Sequence, residues 1–163
     1  RRPRSCDPPG SWNGPMSGPG HVARFDAFKL SARGGSISGS LDARSLPNVA
    51  DSLAPGDDPV RVDWTIEGLA SAEGRPALAI AIEAEVPLVC QRCLGRMAWK
   101  VSQSTEVLLA HDEGELASLD EGSEGEVILA GRPLDAATLV EDELVLTLPF
   151  APRHEGGCAA ARQ

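Results

Sequence analysis

Residues 60–89 decide the fold, and they read VRVDWTIEGLASAEGRPALAIAIEAEVPLV. Apolar and polar side chains alternate through residues 60–67, as a β-strand with one buried face requires. Gly74 and Pro76 then mark a turn. The alternation resumes after it, with these apolar members: Leu78, Ile80, Ile82, Ala84, Val86 and Leu88. The pattern predicts a second strand that pairs back on the first.

A third strand is predicted after residues 90–95 (CQRCLG). Its apolar members recur at even spacing and are Met97, Trp99, Val101, Val107 and Leu109. The three strands predict an antiparallel β meander that carries a Cys-x-x-Cys turn between its second and third strands.

One packed amphipathic helix is predicted after Pro133, because apolar residues recur four apart at Ala136, Val140, Leu144 and Leu148. Asp135 is its expected N-cap, and Pro149 ends it. Before it, the acidic, Gly-rich residues 111–126 (HDEGELASLDEGSEGE) predict a solvated loop. The predicted fold class is therefore α+β.

The periodicity of apolar residues is weaker in the part of the chain that precedes the meander. Phe28, Leu30, Ile37 and Leu41 are expected on short strands, with a short helix between Pro47 and Pro55. Residues 1–20 are rich in Pro, Gly, Ser and Arg, which predicts a flexible, disordered leader or tag. Met16 would be a more usual first residue for the protein. We therefore expect a single domain over residues 21–163.

Composition narrows the class of protein. The chain has 163 residues, 42% of them hydrophobic, enough for one ordinary core. It lacks both the run of roughly 18 apolar residues that spans a bilayer and a secretory signal, so a cytoplasmic location is expected. A net charge of −9 means that any contact with nucleic acid is local or shared with a partner.

The chemistry centres on Cys90 and Cys93, which a tight turn between strands can point at one metal ion. A closed zinc site needs four ligands, and His154 with Cys158 supplies the other pair. Cys6 lies in the N-terminal leader and is set apart from the site. A redox dithiol and metal-free thiols that shape the turn stay open as alternatives.

Charged residues suggest two contact surfaces. Arg92, Arg96 and Lys100 surround the cysteines and, with Trp99 for stacking, are candidate RNA-binding residues. Residues 141–143 (Glu141, Asp142, Glu143) are candidate partner-binding residues. Ordinary exposed side chains are the alternative for both sets. No internal repeat, phosphate loop, nucleophile elbow or zinc-protease motif occurs, so no catalytic residue is assigned.

Two blocks of this sequence resemble the YceD family, the large ribosomal RNA subunit accumulation proteins. They are VCQRCLGRM at 89–97 and residues 139–158, which contain LVEDELVLTLPFAPRH and the trailing cysteine. The matching positions in the two blocks are Cys90, Gln91, Arg92, Cys93, Leu94, Val140, Glu141, Asp142, Glu143, Leu144, Leu148, Pro149, Pro152, His154 and Cys158. Family members usually continue into an Asn-Pro-Phe segment and a basic tail, which are not seen before Gln163.

The resemblance implies a non-enzymatic ribosome biogenesis factor that supports accumulation or processing of large-subunit ribosomal RNA. Its expected partner is precursor ribosomal RNA or an early assembly protein, with no membrane and no small-molecule substrate. A zinc- or thiol-dependent enzyme that uses Cys90 and Cys93, either a nuclease or a redox protein, is the rival hypothesis. A plain interaction module with neither metal nor RNA is the third.

Overall fold

The alternating segments form the centre of one twisted sheet. In the computed structural model, which describes residues 24–158, β3 (Arg61–Ala70), β4 (Pro76–Val89) and β5 (Arg96–Ala110) pair in order as antiparallel neighbours. The predicted three-strand meander is confirmed. The proposed leader at residues 1–20 lies outside the described residues.

Two further strands widen the sheet to the order β2-β3-β4-β5-β6. β2 (Ser36–Asp42) pairs antiparallel with β3 and contains Ile37 and Leu41, which were expected on a strand. β6 (Glu126–Leu129) pairs in parallel with the last four residues of β5, from Val107 to Ala110. A separate two-stranded ribbon joins β1 (Arg24–Phe25) to β7 (Leu134–Asp135).

The core forms where apolar side chains of the sheet meet the helices. Ile66, Ile82 and Leu109 are each almost completely buried on the three central strands. Helix α1 (Ala27–Arg33) contacts β3 and β4, and α4 (Ala136–Thr147) contacts β4 and β5. Each buried side chain of this size contributes about 1.5–3 kcal/mol relative to an exposed one.

Helix α1 corrects the expectation that Phe28 and Leu30 lie on strands. The Asp26 side chain caps the helix by accepting a hydrogen bond from the Lys29 N–H, and Gly34 ends it in a left-handed conformation. The helix lies so close to β3 that a Cβ on Gly68 would clash with the Leu30 carbonyl oxygen. Glycine at position 68 makes this approach possible.

The prediction of a solvated acidic loop at residues 111–126 was wrong. Residues Glu113–Gly122 form helix α3, whose N-cap is Asp112; its carboxylate accepts a 2.8 Å hydrogen bond from the Glu115 N–H. Carboxylates in the first turn favour the helix because they face the positive end of its dipole. Leu119 is buried and anchors the helix to the rest of the domain.

The other helices follow the predicted pattern more closely. The short α2 (Pro47–Ala50) begins with proline, between the two prolines that were expected to bound a helix. Helix α4 begins after the predicted N-cap Asp135, whose carboxylate accepts from the Ala137 N–H at 2.9 Å, and it ends before Pro149. The expectation of one packed amphipathic helix and one short helix was incomplete, since four α-helices and one 3₁₀ turn (Ala43–Ser45) occupy the described range.

None of the helices between residues 24 and 158 combines the length and the apolar character that crossing a membrane demands.

Candidate metal centre

The six residues between β4 and β5 form a tight turn. The Cys90 N–H donates to the Gly95 carbonyl at 2.9 Å, and the Leu94 N–H donates to the Cys90 carbonyl at 2.8 Å. Leu94 is left-handed, with a φ of 58°, and its side chain is 75% exposed. Backbone hydrogen bonds and the left-handed Leu94 therefore shape this turn.

The segment after α4 returns to this turn. Residues 149–158 contain neither helix nor strand. The Gln91 N–H donates to the Pro152 carbonyl at 2.8 Å, which fixes the segment beside the turn. Gly156 and Gly157 then adopt positive φ values of 76° and 106°, which other residues rarely reach. With these conformations the chain returns to the turn, where Cys158 lies next to Cys90.

The structure brings all four predicted ligands together. One ligand atom from each of Cys90, Cys93, His154 and Cys158 lies within 4.8 Å of the others. The Sγ atoms of Cys90 and Cys158 are 3.7 Å apart, and Cys93 Sγ lies 3.6 Å from His154 Nδ1. The cysteines are free thiols, because a disulfide would require about 2.05 Å.

The separation between Cys90 and Cys158 and that between Cys93 and His154 match those around a tetrahedral metal ion. Zinc–sulfur bonds of about 2.3 Å and zinc–nitrogen bonds of about 2.0–2.1 Å, at tetrahedral angles, place two sulfur ligands about 3.8 Å apart and a sulfur and a nitrogen ligand about 3.6 Å apart. Cys90 is fully buried and Cys158 is nearly so. The cluster can hold a metal ion, and its donor set is the Cys₃His type.

The two buried cysteines differ in acidity. The N–H of Cys93 donates to the Cys90 sulfur and, against the opposing effect of burial, lowers the pKa of Cys90 to about 5. Burial raises the pKa of Cys158 to about 11, with Cys93 and Cys90 adding to the effect. Cys90 is thus prepared as a thiolate, the form that binds metal.

The candidate RNA-binding residues lie beside the cluster and are exposed. Arg92 is in the turn. Arg96 and Lys100 lie on β5, where each is two residues away from Ala98. The Arg96 guanidinium donates to the Pro55 carbonyl at 3.3 Å. Within residues 24–158 none of the three has a carboxylate partner at ion-pair distance.

The three candidate partner-binding carboxylates lie on α4 but do not share one side of it. Glu141 is buried and accepts from the Asn48 N–H at 2.6 Å. Glu143 is only 4% exposed and accepts from the Thr105 hydroxyl at 2.8 Å. Burial raises the pKa of Glu143 and also that of Asp142.

The hypothesis of one acidic docking surface therefore needs correction. Successive helical residues turn by about 100°, so Val140, Glu141, Glu143 and Leu144 share the inner side of α4. Asp142 alone of the three carboxylates is exposed. Glu141 and Glu143 join α4 to α2 and β5.

One residue that the sequence did not single out also lies here. Arg153 is exposed next to His154 and faces the start of β5 across a cavity. Its position depends on the path of residues 149–158, which no local pattern predicts. Its basic charge next to a candidate ligand was the available signal.

An α+β domain whose irregular C-terminal segment closes a Cys₃His cluster on a strand turn is the class of protein that this fold and site define. The family model described as "Large ribosomal RNA subunit accumulation protein YceD" matches residues 78–163, more than half of the chain and all four ligands. The chain belongs to the YceD family. Neither a curated protein nor a solved structure shows a significant match.

Proposed function

We propose that this protein is a non-enzymatic ribosome biogenesis factor that supports accumulation or processing of large-subunit ribosomal RNA. The family match over residues 78–163 carries this proposal, since it spans the cysteine turn, β5 and the returning segment. The protein acts in the cytoplasm, by binding precursor ribosomal RNA or an early assembly protein.

The metal that we propose for the cluster is zinc. Three thiolates and one imidazole suit zinc, which prefers four-coordinate tetrahedral sites of this composition. Four protein ligands leave no open position for a water or substrate, whereas catalytic zinc keeps one. The role that this supports is structural: zinc joins residues 149–158 to the turn at 90–95.

The basic residues are the proposed contacts with RNA. Arg92, Arg96 and Lys100 are exposed and are not neutralised by carboxylates in the described chain. Unpaired cations in a chain with a net charge of −9 concentrate the attraction for phosphate at one end of the sheet. Asp142 is the remaining candidate for a basic protein partner.

Metal analysis of protein purified without a His tag tests the zinc site. About one zinc per chain is expected in the wild type, and a Cys90→Ser/Cys93→Ser variant should lose it. Less than about a tenth of a zinc per wild-type chain would overturn the assignment.

Ribosome profiles test the function. Cells that lack this protein should accumulate less large subunit and regain a normal profile with the wild-type gene. An Arg92→Glu/Arg96→Glu variant should fail to restore it, while a charge-matched Arg75→Glu/Arg132→Glu control should succeed. A normal profile with the first variant at equal protein levels would count against the basic contact.

A further inference from the structure

A cavity of about 830 Å³ lies next to the metal centre, between the start of β5 and the returning segment. Residues 95–100 line one side, and residues 153–155 with Gly157 line the other. Successive strand residues point to opposite faces, so a run of consecutive lining residues places the cavity along the edge of β5.

This edge of β5 has no neighbouring strand in the part of the chain that the structure describes. β6 pairs only from Val107 onward, so the backbone of residues 96–106 pairs with β4 on one side alone. Unpaired N–H and C=O groups at a strand edge are available to a ligand. The cavity therefore offers backbone hydrogen-bonding groups as well as side chains.

The cavity is cationic. Arg96, Lys100 and Arg153 line it, against the single carboxylate of Glu155. Arg153, like the other two cations, is exposed and lacks an ion-pair partner among residues 24–158. Three uncompensated cations around one cavity, in an acidic protein, indicate an anionic ligand.

An aromatic ring completes the lining. Trp99 packs partly against the core and also lines the cavity. Cations around an aromatic ring are the combination that binds single-stranded nucleic acid, because phosphates meet the cations while a base stacks on the ring. Bases in a duplex are stacked on each other, so this cavity selects an unpaired base.

We propose that this cavity binds an unpaired nucleotide of single-stranded RNA, with Arg153 and Trp99 as recognition residues. This inference rests on the proposed function and specifies its RNA ligand. The volume falls within the range of about 300–1,000 Å³ that is common for sites of small ligands. Arg153 and Lys100 approach the phosphates from opposite walls.

The metal centre controls one wall of the cavity. Cys93 and His154 line the cavity and are also candidate metal ligands, and Arg153 precedes His154 in the chain. A bound metal ion fixes Arg153 opposite β5, so binding of RNA and of metal are coupled. Coupling between two binding sites is reciprocal. If bound metal raises the affinity for RNA by some factor, bound RNA must raise the affinity for metal by the same factor.

Fluorescence anisotropy of a labelled oligouridylate about ten nucleotides long tests the proposal with the full, zinc-loaded chain across a salt series. Arg153→Gln should weaken binding and reduce the slope of log K against log salt by about 0.7, the value of one phosphate contact. Arg153→Lys should restore the slope. Arg75→Gln, at the opposite end of β4, is the matched control and should leave the slope unchanged.

Trp99 and the metal provide independent readouts. Trp99→Ala should weaken binding about tenfold, as expected for loss of one stacked base, and Trp99→Phe, which keeps a ring, should lose less. Zinc content and thermal unfolding of each variant show whether the site and fold persist. Removing zinc with a chelator should weaken binding in the wild type.

The outcomes separate this inference from the function on which it rests. The nucleotide site is overturned if the wild type fails to bind oligouridylate, or if folded Arg153→Gln and Trp99→Ala variants bind it as tightly as the wild type. The ribosome profile decides the proposed function separately, because that test compares cells with and without the whole protein. If these variants instead lose binding of a polyglutamate peptide but keep that of oligouridylate, the cavity is a peptide site and the inference fails.

Discussion

The sheet and the returning segment at residues 149–158 are stabilised in different ways. β3, β4 and β5 share long runs of backbone pairing and bury an apolar face under α1 and α4. The segment has no regular structure, and its described backbone link to the turn is the bond from Gln91 to Pro152. We therefore expect burial to stabilise the sheet and the candidate metal ligands to hold the segment in place.

The largest effect is expected when a ligand is removed. Cys158→Ser should lower zinc affinity by more than about 100-fold, the upper range for loss of a supporting contact alone. The segment should then detach, so that trypsin cleaves after Arg153 faster, while the sheet unfolds at nearly the same urea concentration. Chelator competition and timed proteolysis measure both.

Cys6→Ser is the control for that experiment, because Cys6 is not among the four candidate ligands. Protection of Arg153 that survives both Cys158→Ser and zinc removal would show that the segment stays in place without metal.

A core substitution should produce the opposite result. Ile82 lies at the centre of β4 and is buried, so Ile82→Ala should lower the free energy of unfolding by about 2–5 kcal/mol. Ile82→Val should cost only about 0.5–1.5 kcal/mol. Urea denaturation measures this, and the folded variant should keep its zinc. Loss of zinc from folded Ile82→Ala would contradict the separation of the two regions.

A smaller effect is expected at the cap of α3. Asp112→Ala removes the carboxylate that accepts from the Glu115 N–H and should cost about 1 kcal/mol. Asp120→Ala, an exposed position in the same helix, should change stability little. Equal effects of the two substitutions on the urea midpoint would indicate that the cap does not stabilise α3.

The smallest effect concerns pH. Burial raises the pKa of Glu143, so the folded state holds a proton at pH values where the unfolded state has lost it. The contribution of Glu143 to stability therefore falls as pH rises from about 4.5 through the raised pKa. Glu143→Gln can still accept from Thr105 and should remove this fall.

Urea midpoints between pH 4.5 and pH 8 check the prediction, with the exposed Glu121→Gln as control. A Glu143→Gln variant whose midpoint has the same pH dependence as the wild type would show that Glu143 is not the group responsible.

The sequence was most informative where one local pattern determines the structure. Alternation identified β3, β4 and β5, because a strand with one buried face repeats every two residues. Apolar residues four positions apart, together with the expected N-cap Asp135, identified α4. The four candidate ligands were singled out because metal chemistry restricts both residue type and spacing, as in Cys90-x-x-Cys93 and His154-x₃-Cys158, and the structure brings them together.

Features that depend on weak or distant signals were missed. Helix α3 buries one apolar residue, Leu119, so its acidic composition concealed it, although Asp112 and Glu115 have the spacing of an N-terminal capping box. The buried Glu143 accepts a hydrogen bond from Thr105, which is 38 residues away in the sequence. Arg153 reaches the cavity only through the return of the segment to the turn.

The role of the cysteine cluster in RNA binding is best tested by crosslinking and recovery of bound RNA from cells that express the tagged full chain, beside Cys90→Ser/Cys93→Ser and Cys6→Ser versions. Large-subunit precursor RNA should be enriched with the wild type and with Cys6→Ser, and should be lost with the double variant. Equal enrichment with the double variant, or recovery of a protein partner without RNA, would contradict the claim that the cysteine cluster organises an RNA-binding assembly factor.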